Sequence, residues 1–458
     1  MYCVRHVHIN KHDPAFIWCD QIAHLANNLY NAALFRERQL ITVSKKELSE
    51  AHEHELEVLE ELDFAENIRK DRWHISPCGM ISYKDLVFLM NATQNPDYFA
   101  KGLPRQTAEA VLKQVVHDLK SYYAALREYR KKPDKFTGKP RMPHYSRRQG
   151  CASFNLTNQD TVIKVNRKGN YYAKLPLTKI TIPLGKHVPG RLKEVHVMPA
   201  NGVFVMDFVL DTGEEAPAVT KHPKRIAAID LGVDNLMAVT NNIGVPSLLY
   251  NGKPLKSINQ YYNKCIANMV SEATRHTTDK YVPSPGYLKV TRNRNNQVDD
   301  YLLKTGKHFM MWCVENRIDT IVAGSTPFWK QSINLGRITN ESFVQIPFAR
   351  LKNILKYMAE QCGILFLEQE ESYTSKASFP DSDEIPVYGE ESAEQMCFSS
   401  KRVKRGLYCS ADGTKINADL NGSANIMRKC LPDAFDHACA PDFINIQVIK
   451  HPDIALRS

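Results

Sequence analysis

The sequence predicts a multidomain protein of mixed α/β plus β class, in which a β-rich N-terminal module carries a long helical insert and an α/β layer domain follows. Three observations carry that expectation. A chain of 458 residues is too long for one ordinary core, so two or three domains are anticipated. Strand-like alternation at the start returns only after about residue 150, with helical periodicity between. From Arg225 onward strands and helices alternate, which suggests layers.

The elements follow in order. Tyr2–Ile9 alternates like a strand and leads through Asp13-Pro14 into a helix over 15–40, where Ile22, Leu25, Leu29 and Ala33 keep helical spacing. The acidic stretch 45–72 predicts a second helix with Leu48, Leu56, Leu59 and Leu62 facing a core. A third is marked at 107–130, with Thr107 as its N-cap and Leu112, Val115, Leu119, Tyr122 and Leu126 as its apolar stripe, stopped by Pro133. Short alternating segments then succeed one another: Ala152–Leu156, Thr161–Val165, Tyr171–Leu175, Ile180–Pro183, Val195–Met198 and Val203–Asp211. Turn signals at Gly169-Asn170 and Asn201-Gly202 separate them. If Tyr2–Ile9 pairs with this module, the helices between are an insertion into a small barrel. Pro217, Pro223 and the basic Lys221 to Arg225 mark a linker.

Composition excludes several classes. Hydrophobic residues make up 43%, too many for a disordered chain. The first ten residues lack the apolar stretch of a signal peptide, and no run of about 18 apolar residues suggests a membrane span. A soluble intracellular protein is expected. The cysteines, 11 in number, lack CxxC spacing and read as reduced thiols. The net charge of +10 is modest, but residues 130–148 are strongly basic, with Asp134 the only acid. Such a run is the usual footprint of a phosphate-backbone partner, although a charge run alone leaves a solvated linker as the better reading.

Chemistry points to three acidic positions. Ile226 to Ile229 are apolar on both faces, as in a central strand, and Asp230 follows directly. A carboxylate there costs several kcal/mol unless its charge is compensated; it is either a satisfied structural Asp or a ligand of a divalent cation. A second apolar strand, Ile364 to Leu367, ends in Glu368, Glu370 and Glu371. Alternation prevents Glu370 and Glu371 from facing one site together, so one is functional. Asp419 precedes Gly422, Ser423 and Ala424, small residues that let a helix approach a sheet and bring Asp419 to the strand ends; it also suits a helix N-terminus. Three such carboxylates fit two divalent ions about 4 Å apart, the arrangement of in-line phosphodiester cleavage. Oxygen ligands select Mg²⁺, with Mn²⁺ as substitute.

These residues carry a resemblance. LPRQTAEAVLKQ at 103–114, KPDKFTGKPRMPHY at 132–145, AIDLGVDNLMAV at 228–239, WKQSINLGRITNESFVQIPF at 329–348, EESYTSKASF at 370–379, KRVKRGLY at 401–408 and NADLNGSANI at 417–426 resemble, in order, the TnpB family of transposon-encoded, RNA-guided DNA nucleases, the OrfB-type "transposases". The resemblance implies a wedge-like barrel (1–10 and 150–220) with an inserted helical recognition lobe (11–149). It also implies a RuvC-type, RNase H-like nuclease domain (225–375 and 406–445), a zinc-ribbon-like insert (376–405) and a tail (446–458). Asp230 matches the first RuvC motif and Asp419 the third. The partners implied are a guide RNA from the transposon end and double-stranded DNA with a short flanking motif, base pairing reading the sequence. No membrane is implied, and the protein is expected in the cytoplasm, nucleoid-associated on DNA, as a monomer or weak dimer.

Two departures stand out. The strand that carries the second-motif Glu in the family reads IDTIVAGSTPF here, without a carboxylate; a branch of the family moves that Glu to the strand before YTSK, which points to Glu371, with Glu370 as alternative. The ribbon's two CxxC pairs are reduced to Cys397 and Cys409, so no zinc is expected. Nucleic-acid contacts fall to Lys131, Lys132, Lys135, Lys139, Arg141, Arg147 and Arg148, and to Lys401, Arg402, Lys404 and Arg405, which precede Asp419 and suit phosphates. Trp329 and Lys330 suit stacking on or contact with nucleic acid, and a buried Trp329 fits at least as well. Two other readings use the same fold: a catalytically silent RNA-guided DNA-binding repressor, and a strand-joining transposase.

Overall fold

The computed structural model describes residues 1–45, 52–68, 73, 75–76, 78–276, 281–325, 345–386, 396–404, 406–436 and 438–452. It divides into two compact units, Met1–Glu214 and Glu215–Ser458. Among the described residues no helix is long and apolar enough to cross a membrane.

In the first unit, β1 (Tyr2–Ile9) pairs along its whole length with β7 (Val203–Asp211). Four strands form one sheet in the order β1-β7-β6-β2, with β6 at Arg191–Ala200 and β2 at Phe154–Thr157. Three others, β3 (Val162–Val165), β4 (Tyr171–Lys174) and β5 (Thr181–Gly185), form a second. Among the described residues these are two separately hydrogen-bonded sheets, not one closed ring. The β6–β7 hairpin turns on Asn201 and Gly202, at φ 49° and 79°. Positive φ at both central residues is the type I′ geometry that suits strand twist.

Between β1 and β2 lie α1 (Pro14–Val43), α2 (Glu53–Ile68), α3 (Tyr83–Ala92) and α4 (Arg105–Lys131). Three local expectations need correction. Helix α4 starts at Arg105 with Pro104 at the cap position, since proline's fixed φ and missing N–H suit a helix start. Thr107 is instead buried, and its hydroxyl donates to the Asn155 carbonyl at 3.0 Å. On α2, Leu62 is buried and Leu59 packs against the core as expected, with Val58 and Ala65 buried beside them, while Leu56 is exposed. Leu48 lies outside the described residues.

One apolar cluster runs through helices and strands alike, and includes Ile22, Leu34, Leu89, Leu112, Phe154 and Phe208. Phe16 meets Phe204 and Trp18 meets Phe154 edge to face. Inside this core Glu37 is fully buried, and its Oε2 accepts from the Ile81 backbone N–H at 3.2 Å. Burial pushes its carboxyl up to about 8.

The second unit is built on a six-stranded mixed sheet in the order β12-β11-β8-β9-β10-β16. The strands are β8 (Ile226–Leu231), β9 (Asn235–Asn241), β10 (Pro246–Asn251), β11 (Thr320–Ser325), β12 (Leu365–Glu370) and β16 (Asp442–Ile449). β8, β9 and β10 are successively antiparallel, while β11 is parallel to β8 and β12 to β11. Alternation on β8 splits its side chains between two layers. Ala227, Ile229 and Leu231 enter the cluster with residues of α6 (Pro285–Glu315) and α7 (Phe348–Gln361). Ile226 and Ala228 face Ile426 and Met427 of α8 (Ala418–Cys430). Helix α5 (Lys253–Thr274) packs with α6.

Two expected boundaries differ. Residues 446–449, assigned to a tail, complete β16, which pairs parallel to β10 and buries Ile449. The division at 405/406 falls inside a hairpin, where β13 (Lys401–Lys404) pairs with β14 (Leu407–Cys409) beside β15 (Lys415–Asn417). β12 is also less buried than expected, its residues only partly covered except exposed Glu368, because it forms the sheet edge.

Glu37 generates a prediction for the first unit. Its folded pKa of about 8 lies above the ordinary 4.5, so between those values the folded state keeps a proton that the unfolded state releases. Stability should therefore fall as pH rises through that window. Glu37→Gln should flatten the dependence and raise the melting midpoint at pH 8; equal slopes for parent and variant in thermal melts from pH 5 to 8 would contradict this.

Candidate metal centre of the second unit

Asp230 sits one residue before the end of β8, half-buried, on the face that carries Ile226 and Ala228. That face is covered by α8, whose approach depends on small side chains. Gly422, Ser423 and Ala424 are all buried. Ser423 Oγ donates to the Ala228 carbonyl at 2.8 Å and accepts from the Thr240 N–H at 3.2 Å, tying α8 to β8 and β9. A Cβ on Gly422 would lie 2.6 Å from Asp230 Oδ2. Only glycine lets the helix pass over this carboxylate.

Asp419 stands in the first turn of α8, which Asn417 caps through its side chain, accepting from the N–H groups of Asp419 and Leu420 at 2.9 and 3.1 Å. The cap is thus Asn417, not Asp419, and Asp419 is left to turn toward the sheet. Its Oδ2 accepts from Asn235 Nδ2 at 2.8 Å and its Oδ1 from Arg402 Nη2 at 3.0 Å.

The third carboxylate lies over a glycine of β11. Ala323 pairs with Ile229, so Gly324 lies beside Asp230 on the neighbouring strand. A Cβ on Gly324 would fall 2.2 Å from Glu371 Oε2 and 2.9 Å from Ile426 Cδ1. Glu371, just beyond β12, therefore lays its carboxylate over the glycine at the β11 strand end. The loop behind it is stitched to α8: Asn421 Nδ2 donates to the Ala377 carbonyl at 2.8 Å, and Asn425 Nδ2 to the Thr374 carbonyl at 2.9 Å and to Ala377 at 2.7 Å.

Electrostatics confirm the convergence. Burial first, then the charges of Glu371 and Asp419, hold the Asp230 carboxyl well above its usual range, against the opposing pull of Arg402. The other two glutamates serve elsewhere. Glu370 Oε2 accepts from Lys429 Nζ at 2.7 Å, and its Oε1 from the Ser372 N–H at 2.6 Å. Burial raises its carboxyl, but these bonds outweigh that and bring it below the ordinary value. Glu368 is held low by Lys352, 2.6 Å away.

The basic residues divide in the same way. Lys131, Lys132, Lys135, Lys139, Arg141, Arg147 and Arg148 are exposed in the first unit, as are Lys401 and Lys404 in the second. Arg402 is engaged with Asp419. Arg405, Trp329 and Lys330 lie outside the described residues. Around Cys397 and Cys409, carboxylates and hydroxyls hold the chain. Asp381 Oδ2 accepts from Ser400 Oγ at 2.6 Å and the Ala411 N–H at 3.0 Å, and Asp383 Oδ2 accepts from the Ser378 N–H at 2.8 Å.

Sequence reasoning missed Asn235, Gly324, Asn421, Asn425 and Lys429. A signal was present for two of them. Asn417, Asn421 and Asn425 recur every four residues, so they lie along one helix face, and buried amides must bond to something.

Fold and carboxylates together define this half as a mixed α/β domain with acids near the end of β8, just beyond β12 and at a helix start. A family model described as a probable transposase, OrfB_IS605, matches residues 209–326, and one described as Cas12f1-like, TNB domain, matches 348–426. A TnpB-like protein, ORF457 of Acidianus two-tailed virus, is 26% identical over 228 residues, spanning 48% of this chain and 45% of that protein. The chain thus spans about half the length of that relative. Among solved structures, a Cas12f1–sgRNA–target DNA complex is similar at TM-score 0.49 and 13% identity, covering 89% of this chain and 82% of that one. The mini-RNA-guided endonuclease CRISPR-Cas_phi3 is similar at 0.44 and 11%, covering 93% and 92%. At that distance neither assigns a role to any residue here. The second half of the chain is thus similar to OrfB-type, Cas12f1-like and TnpB-like proteins.

The crowding of like charges yields a prediction. Because the Asp230 carboxyl is raised, its ionisation at neutral pH disfavours the fold. In chelator at pH 7, Asp230→Asn should raise the melting midpoint, and the gain should vanish near pH 3.5, where the parent is protonated in both states. A lower midpoint for the variant at pH 7 would show that the carboxylate is satisfied.

Proposed function

We propose that this protein is an RNA-guided, metal-dependent DNA endonuclease associated with an insertion-sequence transposon, with Asp230, Glu371 and Asp419 as its metal-binding catalytic carboxylates. The observation that carries the reading is the convergence of these acids, with Glu371 against Gly324, Asp230 against Gly422, and Asp419 near enough to act on Asp230 by its charge. The strand order, three antiparallel strands followed by two parallel to the first, supports an RNase H-like, RuvC-type core over 225–375 and 406–445. The matched family models overlap most of this region, at 209–326 and 348–426.

The donor set fits a divalent ion. All three ligands are hard carboxylate oxygens; burial, then the charges of Glu371 and Asp419, keep Asp230 raised, and a cation would supply the compensation that Arg402 gives only in part. Mg²⁺, with Mn²⁺ as substitute, would supply Lewis-acid polarisation of the phosphodiester and a more acidic water. The protein's own residues supply position. Asn235 and the Asn417 cap fix Asp419; Asn421 and Asn425 fix the loop behind Glu371; the glycines leave room for both carboxylates. Arg402, adjoining Asp419, is placed to meet a phosphate.

The wedge-like module (1–10 and 150–220) and helical insert (11–149) would hold guide RNA and the motif beside the DNA target. Base pairing would read the sequence, and the exposed cations at 131–148, with Lys401 and Lys404, would meet backbone phosphates. We place no zinc at Cys397 and Cys409, where the hydroxyl–carboxylate bonds occupy the ribbon-like segment. A soluble cytoplasmic protein acting as monomer or weak dimer is the companion reading.

Copurified RNA should be a single defined species, and cleavage of a matched DNA duplex should need both it and Mg²⁺. Asp230→Ala, Glu371→Gln and Asp419→Ala should each reduce cleavage by more than the roughly 10–100-fold typical of outer-shell changes, with RNA retained. Glu370→Gln should leave cleavage within a few-fold. Because it removes the counter-charge of Lys429, whose side chain is 8% exposed and keeps the Ser372 and Pro386 carbonyls as acceptors, it should cost about 1–3 kcal/mol, between exposed and buried pair losses. Cleavage by neither parent nor variants would mark a DNA-binding repressor, and RNA-independent joining of donor ends a transposase.

Gly324→Ala tests the geometry. The new Cβ would displace Glu371, so cleavage should fall at least about 10-fold, as for a misplaced catalytic group, with RNA binding unchanged. Full activity in Gly324→Ala would remove Glu371 from the centre.

A further inference from the structure

Far along the chain from the acidic centre, three side chains of different chemistry meet on the first unit. Asp20 and His24 lie one turn apart on α1, on the side away from buried Cys19 and Ala23. Cys151 follows the basic segment. Its Sγ is 3.6 Å from His24 Nε2 and 3.7 Å from Asp20 Oδ1, and His24 Nε2 is 3.7 Å from Asp20 Oδ2. Among the described residues this is the one group of three whose His, Cys, Asp or Glu donor atoms all lie within 4.8 Å of one another.

Those separations match a tetrahedral ion. Zinc–sulfur bonds of about 2.3 Å and zinc–nitrogen or –oxygen bonds of about 2.0–2.1 Å put neighbouring ligand atoms about 3.3–3.6 Å apart. A second observation lies outside the trio. His24 Nδ1 is 3.0 Å from the Gly150 carbonyl. A carbonyl only accepts, so Nδ1 carries the proton and the Nε2 lone pair points at Asp20 and Cys151. Metal-bound histidines are oriented in this way. The Asp20 and His24 side chains are 45% and 41% exposed, so an ion can enter and water can complete the shell.

We propose that Asp20, His24 and Cys151 form a transition-metal site of the zinc class that clasps the end of the basic segment to α1. One thiolate, one imidazole and one carboxylate favour Zn²⁺ over Mg²⁺. Coordination replaces the Cys151 S–H bond by a sulfur–metal bond and releases one proton to solvent. The surroundings suit a clasp. Asn27 Nδ2 donates to the Arg147 carbonyl at 2.9 Å, Asn31 bonds the Ser146 carbonyl and N–H at 3.0 and 2.8 Å, and the Ala152 N–H donates to the Ala23 carbonyl at 3.1 Å. α1 thus already grips residues 146–152, and the ion would lock that grip at Cys151. The site is independent of the nuclease reading and separate from the ribbon cysteines.

The test uses the full chain, stripped with chelator and titrated with Zn²⁺ or Co²⁺. The parent should take up one equivalent, and Co²⁺ should produce a thiolate-to-metal charge-transfer band. Cys151→Ala should abolish the band, and His24→Gln should weaken binding at least about 10-fold, while both keep the parent's melting midpoint in chelator. Cys397→Ser should bind as the parent does. Zn²⁺ should also slow tryptic cleavage after Arg147 and Arg148 in the parent and not in Cys151→Ala. Absence of the band in the parent, its survival in Cys151→Ala, or its loss in Cys397→Ser would each overturn the site. Unchanged proteolysis despite binding would overturn the clasp.

Discussion

The second unit is organised by one electrostatic constraint: a carboxylate on a central strand shares its enclosure with two more. Asp230 cannot leave β8, because its neighbours on that strand are packed into layers on both sides. Glu371 and Asp419 arrive from a loop and a helix start, each tied down by amides. Repulsion at such short range is tolerated only where the surrounding structure over-determines it. The elements around the acids do this through buried hydrogen bonds more than through apolar contact.

Space is the other half of the arrangement. On β11 the strand end carries a glycine, and the space its missing side chain leaves is filled by the Glu371 carboxylate from beyond the next strand. Gly422 does the same for the helix that crosses Asp230. Two missing Cβ atoms, one on a strand and one on a helix, decide where three charges can meet.

Much of this was legible in the sequence. The apolar run before Asp230, the small residues after Asp419 and the alternating segments beyond 150 each signal burial or pairing through local composition. The choice between Glu370 and Glu371 was not legible by alternation alone, which says that they differ but not which faces inward; Lys429, distant in sequence, takes Glu370. The membership of β16 was equally hidden, since Asp442–Ile449 is partly polar and becomes a strand through pairing with β10. Helix α4 began earlier than its capping pattern implied because Pro104 outweighed Thr107. The trio around Cys151 joins residues about 130 positions apart, and no spacing rule reaches that far.

The four-stranded sheet of the first unit has a consequence for its helices. β1 and β2 occupy opposite edges, so the intervening polypeptide departs from one margin and returns at the other, three strand spacings or about 14 Å away. About four extended residues could bridge that gap, so chain connectivity alone does not require the helices. Apolar contact does: Phe16 on Phe204 and Trp18 on Phe154 make the helical lobe and the sheet two walls of a single interior. Excising the lobe would leave a bare hydrophobic sheet, and the lobe alone would lack its floor.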